Sequence, residues 1–278
     1  MWQAETEKVK VVFIASLSHS GSTLLDLMLN AHPNVVSVGE LKQLGRFARF
    51  EKPGRRLRCT CGADSLFDCD FWGRISALTE AAVGRTIRDL NVENYDDLES
   101  FERDNVAAFR AIAEVSGKKY VVDSSKQVER LERLMAIDAL EVIPIFLLRD
   151  PKGQMCSAQK RPIGFVKLIE NYVCTNRRIY HLLRHKPHAV VHYEELVREP
   201  EATLQSLMRQ FGLTFDQSQM QWASHVRHNV GGNGMRRRET SELKLDERWR
   251  EYWNLPQRLV IDAATLPGRF PFMKLGAA

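Results

Sequence analysis

Residues 9–30 have the sequence VKVVFIASLSHSGSTLLDLMLN, and this segment is the most direct indication of the architecture of the chain. The apolar, β-branched run Val9–Ala15 has the length and composition of a buried strand. Apolar residues at helical spacing resume at Leu24–Leu29. A strand, a short polar turn and a helix in this order direct backbone N–H groups and the positive end of the helix dipole at one point. The segment therefore predicts a phosphate-binding loop.

The residues of this loop fit an anion but not ATP hydrolysis. Gly21 allows close approach of the backbone, and Ser20, Ser22 and Thr23 add hydroxyl donors. The loop of a nucleotide triphosphatase has the pattern G-x-x-x-x-G-K-[ST]. Here Ser16 stands at the first glycine position and Ser22 at the lysine position. We therefore expect the loop to hold a phosphate without turning over ATP.

The composition is that of one large globular α/β domain covering residues 1–278, with 44% hydrophobic and 27% charged residues. The net charge of +5 favours anionic ligands but is too small to indicate nucleic acid. No apolar run reaches the roughly 18 residues of a membrane span, and Met1–Lys10 is too charged for a signal peptide. The expectation is a cytoplasmic enzyme without a membrane span.

Strand and helix patterns alternate along the chain. This alternation predicts a P-loop-like, three-layer α/β fold with a central parallel sheet and helices on both faces. Ligands of such sheets bind at the carboxyl ends of the strands. We expect residues 46–98 to leave this core as an excursion that serves as an acceptor lid. The further predicted strands are Tyr120–Val122, Val142–Leu148 and Ala189–His192; the predicted helices are Glu99–Val115, Val128–Ala139, Gly153–Gln159, Phe165–Arg184 and Ala202–Phe211.

A second anion site is predicted from FLLRDPKGQMCSAQKR at residues 146–161. Arg149 follows a strand, Pro151 suits a first helical position, and Ser157 lies in the helix. Arg149 can bind a phosphate bidentately, with Ser157 donating beside it. The alternative is an arginine–aspartate pair and a helix cap. Two phosphate sites on neighbouring strand ends fit a nucleotide that is phosphorylated at both ends of its ribose.

Three of the five cysteines are close together, in RCTCGADSLFDCDFW at residues 58–72. Cys59, Cys61 and Cys69 can supply three thiolates, but a fourth metal ligand at a usual spacing is missing. A reduced structural loop or a disulfide is the favoured interpretation, and a metal site the alternative.

Together these motifs resemble the sulfotransferases that use 3′-phosphoadenosine 5′-phosphosulfate (PAPS), in particular the bacterial and carbohydrate-type members. The resemblance covers residues 10–253. The matching segments are Ser18–Leu25 for the 5′-phosphosulfate, Arg149–Ser157 for the 3′-phosphate, HYEEL at 192–196, and the glycine loop NVGGNGMRRR at 229–238.

The resemblance implies roles for individual residues. Ser20–Thr23 would bind the 5′-phosphosulfate, Arg149 and Ser157 the 3′-phosphate, and Tyr193 would lie near the adenine. One arginine of the glycine loop would close over the 3′-phosphate, the alternative being a solvated basic loop. No metal is required. The three candidate arginines are Arg236, Arg237 and Arg238.

Three residues are candidates for catalysis, and one of them departs from the family pattern. His19 stands where members usually have Lys or Arg before Ser-Gly, so Lys126 is the more dependable cation for the leaving group. Glu40 matches the base of carbohydrate-type members, and Asp123 is the reserve base or orients Lys126. The alternatives are a helix-starting glutamate for Glu40 and a surface lysine for Lys126.

The predicted reaction moves a sulfuryl group from PAPS to a hydroxyl or amine of a small-molecule or carbohydrate acceptor. One rival is a P-loop kinase of a small molecule, because Tyr120–Asp123 resembles an acidic strand end that holds Mg²⁺. The other is a nucleotide-binding protein without catalysis.

Overall fold

The computed structural model describes residues 7–49, 59–159 and 163–273, with side chains to residue 266. One sheet of five parallel strands forms its centre, in the order β2-β3-β1-β4-β5. The carboxyl end of β1 therefore lies between those of β3 and β4, as the predicted site requires. The strands are β1 (Val9–Ala15), β2 (Val35–Ser37), β3 (Tyr120–Lys126), β4 (Leu140–Leu148) and β5 (Ala189–His192).

Helices connect the strands in the predicted alternation. The predicted helix Val128–Ala139 is too long, since helix α5 ends at Met135 and the chain turns into β4. The helices are α1 (Ser22–Asn30), α2 (Leu44–Arg49), α3 (Asp70–Val83), α4 (Leu98–Ser116), α5 (Val128–Met135), α6 (Pro151–Ala158), α7 (Phe165–Leu183), α8 (Tyr193–Arg198), α9 (Pro200–Gln210), α10 (Trp249–Tyr252) and α11 (Leu255–Met273).

Apolar side chains pack on both faces of the sheet, because successive residues of a strand point to opposite sides. Val11 and Phe13 of β1 belong to a buried core with α3 and α4. Val12 and Ile14 belong to a second core with α1 and α9. The architecture is the predicted α/β sheet with helices on both faces.

Strand β3 runs past its predicted end at Val122 into the polar residues DSSK. The pairing of β1 with β3 shifts register between Phe13 and Ala15, so that Ala15 pairs with Lys126. Lys126 has a φ of 69°, in the left-handed region. This irregular strand end puts Lys126 directly beside the start of the phosphate loop.

The predicted excursion at residues 46–98 is described except for residues 50–58. Its described part includes α3, which packs against α4 with Trp72 and Ile75 in the core. The function of this segment as an acceptor lid stays a prediction. Within the described residues, no helix combines the length and hydrophobicity that crossing a bilayer would take.

Candidate active site

The predicted phosphate loop joins β1 to α1 through two residues with left-handed backbone, His19 at φ 71° and Gly21 at φ 96°. The Ser20 amide donates to the Leu17 carbonyl at 3.3 Å, which tightens the turn. Gly21 caps α1 without a side chain, and the first turn of α1 has no acidic residue. The first amides of a helix have no intrahelical acceptor. The amides at this end of α1 are therefore available to an anion, and the binding of a phosphate there stays a prediction.

Tyr193 packs against the loop from the start of α8. A Cβ atom on Gly21 would collide with the Tyr193 ring, so both the contact and the positive φ require glycine there. Tyr193 is buried, and the Arg149 guanidinium lies over its ring at 4.4 Å from the centroid. Tyr193 therefore joins the two predicted phosphate sites, and its contact with adenine stays a prediction.

The predicted second anion site already holds a carboxylate. Arg149 donates from Nη2 to Asp246 Oδ2 at 3.1 Å, and Ser157 Oγ donates to the same oxygen at 3.2 Å. Arg248 binds Asp246 with both Nε (2.7 Å) and Nη2 (2.8 Å). Hydrogen bonding from Arg248 first, and from Arg149 second, lowers the pKa of Asp246 far below its usual range. Arg149 and Ser157, which are predicted to bind a phosphate, thus bind the carboxylate of Asp246 in this structure.

The Arg149 guanidinium can donate a further hydrogen bond, through Nε–H, to an additional acceptor. Only 6% of its side chain is exposed, and Nη1 donates to the His19 carbonyl of the loop at 2.9 Å. Its buried Nε–H has no hydrogen-bond partner among the residues that the structure describes. Asp150 also caps α6 by accepting from the Lys152 amide at 2.8 Å, so the predicted cap exists beside the anion site.

Glu40 and Lys126 form an ion pair at the same edge of the sheet. Lys126 Nζ donates to Glu40 Oε1 at 2.5 Å, and their side chains are 12% and 15% exposed. Lys126 Nζ also donates to the Ser124 carbonyl at 3.2 Å. Lys126 is therefore no ordinary surface lysine. Within the part of the chain that the structure describes, Glu40 Oε2 has no hydrogen-bond partner, which leaves one carboxylate oxygen for a substrate proton.

The glycine loop, residues 229–238, lies between Glu40 and α1. The Glu40 amide donates to the Val230 carbonyl at 2.7 Å, and the Gly232 amide donates to Glu40 Oε1 at 3.1 Å. The Asn233 amide donates to Thr23 Oγ1 at 3.5 Å. The glycine loop therefore orients Glu40 beside the phosphate loop.

Of the three candidate arginines in the glycine loop, Arg236 makes contacts within and beside its own loop. Arg236 donates to the Gly231 carbonyl of its own loop and lies 5.5 Å from the centroid of Phe47. Arg237 and Arg238 are exposed. Their contact with a 3′-phosphate stays a prediction. The arginine beside Arg149 is instead Arg248, which the sequence analysis missed because DERW at 246–249 looks like a charged helix start.

Asp123 is buried in a structural role. Its Oδ2 accepts from Arg130 Nε at 2.8 Å, and both side chains are fully buried. Its Oδ1 accepts from the Ser125 amide at 2.9 Å and the Leu41 amide at 3.4 Å. Asp123 therefore fixes the segments that carry Glu40 and Lys126, and its role as a reserve base or as an orienter of Lys126 stays a prediction.

The buried Asp26 of α1 connects its helix to the end of β2 and to the glycine loop. Its side chain accepts from Ser37 Oγ at the end of β2 and, at 2.8 Å, from Asn229 Nδ2 of the glycine loop. Burial raises the pKa of Asp26 to about 6, against the hydrogen bond from Ser37 and the nearby charge of Lys126.

This shift makes stability depend on pH. The folded chain retains the Asp26 proton between pH 3.8 and about 6, whereas the unfolded chain loses it. The contribution of Asp26 to the free energy of unfolding therefore falls as pH rises through this window, by up to about 3 kcal/mol. We expect Asp26→Asn to gain stability relative to the natural chain as pH rises from 4 to 7, measured by urea unfolding. A constant difference across this range would contradict it.

Comparison with known proteins agrees with this geometry. The chain matches the model of the sulfotransferase family over residues 11–217. It has the fold of the sulfotransferase domain from the Synechococcus PCC 7002 olefin synthase, with a TM-score of 0.63 and 20% identity over 98% of each chain. It is also similar to the sulfotransferase domain from the curacin biosynthetic pathway, with a TM-score of 0.60 and 20% identity over 93% of this chain and 97% of that one. Curated proteins give no match. The match over most of its length places this chain in the sulfotransferase family, and the P-loop-like α/β fold is confirmed.

Proposed function

We propose that this protein transfers the sulfuryl group of PAPS to a hydroxyl or amine of a small-molecule or carbohydrate acceptor. The observation that carries the proposal is the pair of anion sites that Arg149 joins. Its guanidinium binds the Asp246 carboxylate on one side and the His19 carbonyl of the phosphate loop on the other. A nucleotide with phosphates on both the 5′ and 3′ oxygens has anionic groups for both sites.

The residues present fit such a donor. The amides of Gly21 and Ser22 and the hydroxyl of Thr23 would hold its 5′ end, while Arg149 and Ser157 would hold its 3′-phosphate. Arg248 is a further candidate for the 3′-phosphate, because it already binds the same carboxylate oxygen as Arg149. When bound, the donor supplies an activated sulfuryl group.

In this proposal, Glu40 removes the proton of the acceptor and Lys126 stabilises the leaving phosphate. Glu40 Oε2 takes the proton of the acceptor as the new bond to sulfur forms, and Oε1 stays oriented by Lys126 and Gly232. Lys126 Nζ provides positive charge beside the phosphate loop for the leaving phosphate, which the polar N-terminus of α1 also stabilises. His19 is a second candidate for this charge.

A kinase is disfavoured by Asp123. A Mg²⁺ ion at the end of β3 would need a carboxylate that can turn toward a nucleotide. Asp123 is instead fully buried against Arg130 and accepts from the Ser125 and Leu41 amides. The phosphate loop also has Ser22 in place of the lysine.

A polar cleft, whose lining begins at Lys42, two residues after Glu40, is a candidate for the acceptor. It has a volume of about 270 Å³ and lies between residues 42–49 and residues 85–100. Four basic and three acidic side chains contribute to it: Lys42, Arg46, Arg49, Arg85, Asp89, Glu93 and Asp97. Such a lining favours a polar acceptor, for example a sugar, over a hydrocarbon.

The decisive experiment measures transfer from labelled PAPS to a panel of sugars, phenols, lipids and polar metabolites without added Mg²⁺. We expect sulfated product for one class, and thermal stabilisation by adenosine 3′,5′-bisphosphate. Stabilisation and turnover only with ATP and Mg²⁺ would support the kinase instead. Stabilisation by the bisphosphate with no product from any acceptor class would favour a protein that binds the nucleotide without catalysis.

Asp246 leads to a prediction of its own. Its carboxylate occupies the donors of Arg149 and Ser157, so it must leave them before a 3′-phosphate can bind. We expect Asp246→Asn to bind adenosine 3′,5′-bisphosphate roughly 3- to 20-fold more tightly in calorimetry, because it removes a charged competitor. Asp138→Asn, an exposed aspartate before β4, is the matched control. Weaker binding by Asp246→Asn would mean that Asp246 orients the arginines instead.

A further inference from the structure

The three clustered cysteines meet a histidine that lies far away in the sequence. His228 Nδ1 is 3.2 Å from Cys69 Sγ and 3.6 Å from Cys59 Sγ, and Cys61 Sγ is 3.6 Å from Cys69 Sγ. The three sulfur atoms and the imidazole nitrogen all lie within 4.8 Å of one another. The fourth ligand, which no usual spacing in the sequence provides, is therefore His228, the residue just before the glycine loop.

These distances have the dimensions of a tetrahedral metal site. With zinc–sulfur bonds of about 2.3 Å and zinc–nitrogen bonds of about 2.0 Å, the edges of a tetrahedron are roughly 3.8 Å between two sulfurs and roughly 3.5 Å between sulfur and nitrogen. The measured separations of 3.6 Å and of 3.2–3.6 Å are close to these edges. A disulfide requires about 2.05 Å between sulfurs, and all three cysteines are free thiols.

The surroundings orient the ligands from two sides. The His228 ring stacks on Phe71 with a centroid distance of 4.3 Å and an angle of 9°. The Trp72 indole N–H donates to the His228 carbonyl at 3.0 Å. Cys69 caps α3, and Gly62, at φ 103°, turns the chain directly after Cys61. The ligands thus come from two segments that are far apart in sequence, and one of them, Cys69, stands at the start of a helix.

The cluster is also reachable from solvent. Cys59 and Cys69 are buried, whereas Cys61 is exposed. A cleft of about 400 Å³ opens onto Cys61, Cys69 and His228. A metal ion can therefore enter after folding, and the thiol protons can be released to water.

We propose that Cys59, Cys61, Cys69 and His228 bind one structural Zn²⁺ ion. Three thiolates and one imidazole are soft and borderline ligands, and a closed tetrahedral set of four protein ligands is the arrangement of structural zinc. This metal has no part in sulfuryl transfer, and the proposal does not depend on the identity of the donor.

The proposed metal site lies where residues 59–72 contact the segment that leads into the glycine loop. Thr60 Oγ1 donates to the Arg227 carbonyl at 2.7 Å and accepts from the Asn229 amide at 2.9 Å. The next residue, Val230, pairs with Gly39 and accepts from the Glu40 amide. Zinc bound to His228 therefore fixes the start of the glycine loop, whose Gly232 amide orients Glu40.

The experiment is metal analysis of the full-length protein purified from zinc-supplemented cells, together with Co²⁺ titration of metal-free protein. We expect about one zinc per chain and the visible absorption bands of tetrahedral thiolate–cobalt. Cys69→Ser and His228→Ala should each weaken zinc binding by at least roughly 100-fold in a chelator competition. Cys174→Ser, an exposed cysteine on α7, is the matched control and should bind zinc normally.

Several results would overturn the proposal. They are absence of zinc and of cobalt bands in the natural chain, unchanged zinc binding in Cys69→Ser, or a stable Cys61–Cys69 disulfide in the purified protein detected by mass spectrometry. If Cys69→Ser fails to fold, Cys61→Ser replaces it, because Cys61 is exposed and packs least. Thermal unfolding of the natural chain with and without a chelator gives a readout that needs no substrate, and we expect a lower Tm with the chelator.

Discussion

Glu40→Gln is expected to reduce turnover by roughly 100-fold or more while donor affinity hardly changes, because removal of a general base affects mainly the proton-transfer step. The amide keeps the shape of the side chain. In the natural chain, Glu40 Oε1 accepts from Lys126 Nζ at 2.5 Å and from the Gly232 amide at 3.1 Å, and the amide oxygen of the variant can still accept from both donors. What it loses is the basic oxygen Oε2. Steady-state transfer and calorimetry with adenosine 3′,5′-bisphosphate measure the two quantities.

The matched control is Glu129→Gln. Glu129 is exposed on α5 and pairs with Arg178, so its substitution should leave turnover unchanged. Near-normal turnover in Glu40→Gln would mean that another group or solvent takes the proton. An equal loss of donor affinity would show that Glu40 acts mainly by placing Lys126.

The central sheet could be predicted because its strands are continuous apolar runs. Val9–Ala15 and Ala189–His192 match their predictions residue for residue. Strand β3 could not be bounded in the same way, since it ends in DSSK. The strand continues there because the Ser124 amide donates to the Gly39 carbonyl and Asp123 accepts from the Leu41 amide. Contacts of this kind depend on residues far away in sequence.

The same limit applies to the candidate site. The positions of the β1–α1 loop and of Arg149 at the edge of the sheet were predictable, because each follows an apolar strand and precedes a helix. Asp246 and His228 were not, because they lie in segments without regular structure and meet their partners only through the tertiary fold. Arg149 and Asp246 are 97 residues apart, and Cys69 and His228 are 159 residues apart. No spacing rule connects such positions.

The glycine loop shows how these distant contacts produce one site. Its Asn229 side chain donates to the buried Asp26 of α1, its Val230 pairs with Gly39, and its Gly232 amide donates to Glu40. Each contact ties the loop to an element that starts or ends at the carboxyl edge of the sheet. A change in the loop should therefore alter the position of Glu40 even where no substrate is touched.

Arg149→Ala is expected to weaken donor binding by roughly 30- to 1,000-fold, which corresponds to about 2–4 kcal/mol for a charge-assisted, bidentate contact in an enclosed site. The side chain is only 6% exposed, its buried Nε–H has no partner within the described part of the chain, and Ser157 Oγ lies 3.3 Å from Nη1. A phosphate in place of the Asp246 carboxylate would therefore meet donors that are already aligned. Calorimetry with adenosine 3′,5′-bisphosphate measures the loss.

Arg149 also has a structural contact, the hydrogen bond to the His19 carbonyl at 2.9 Å, so the fold of the variant must be checked by thermal unfolding. Ser157→Ala is the milder second variant, because it removes one hydroxyl donor and leaves the loop contact intact. Arg178→Ala, exposed on α7, is the matched control. Arg149→Lys should recover only part of the affinity, since an ammonium keeps the charge but not the two parallel N–H donors. Full affinity in Arg149→Ala would remove Arg149 from the donor site and leave Arg248 and the arginines of the glycine loop as the candidates for the 3′-phosphate.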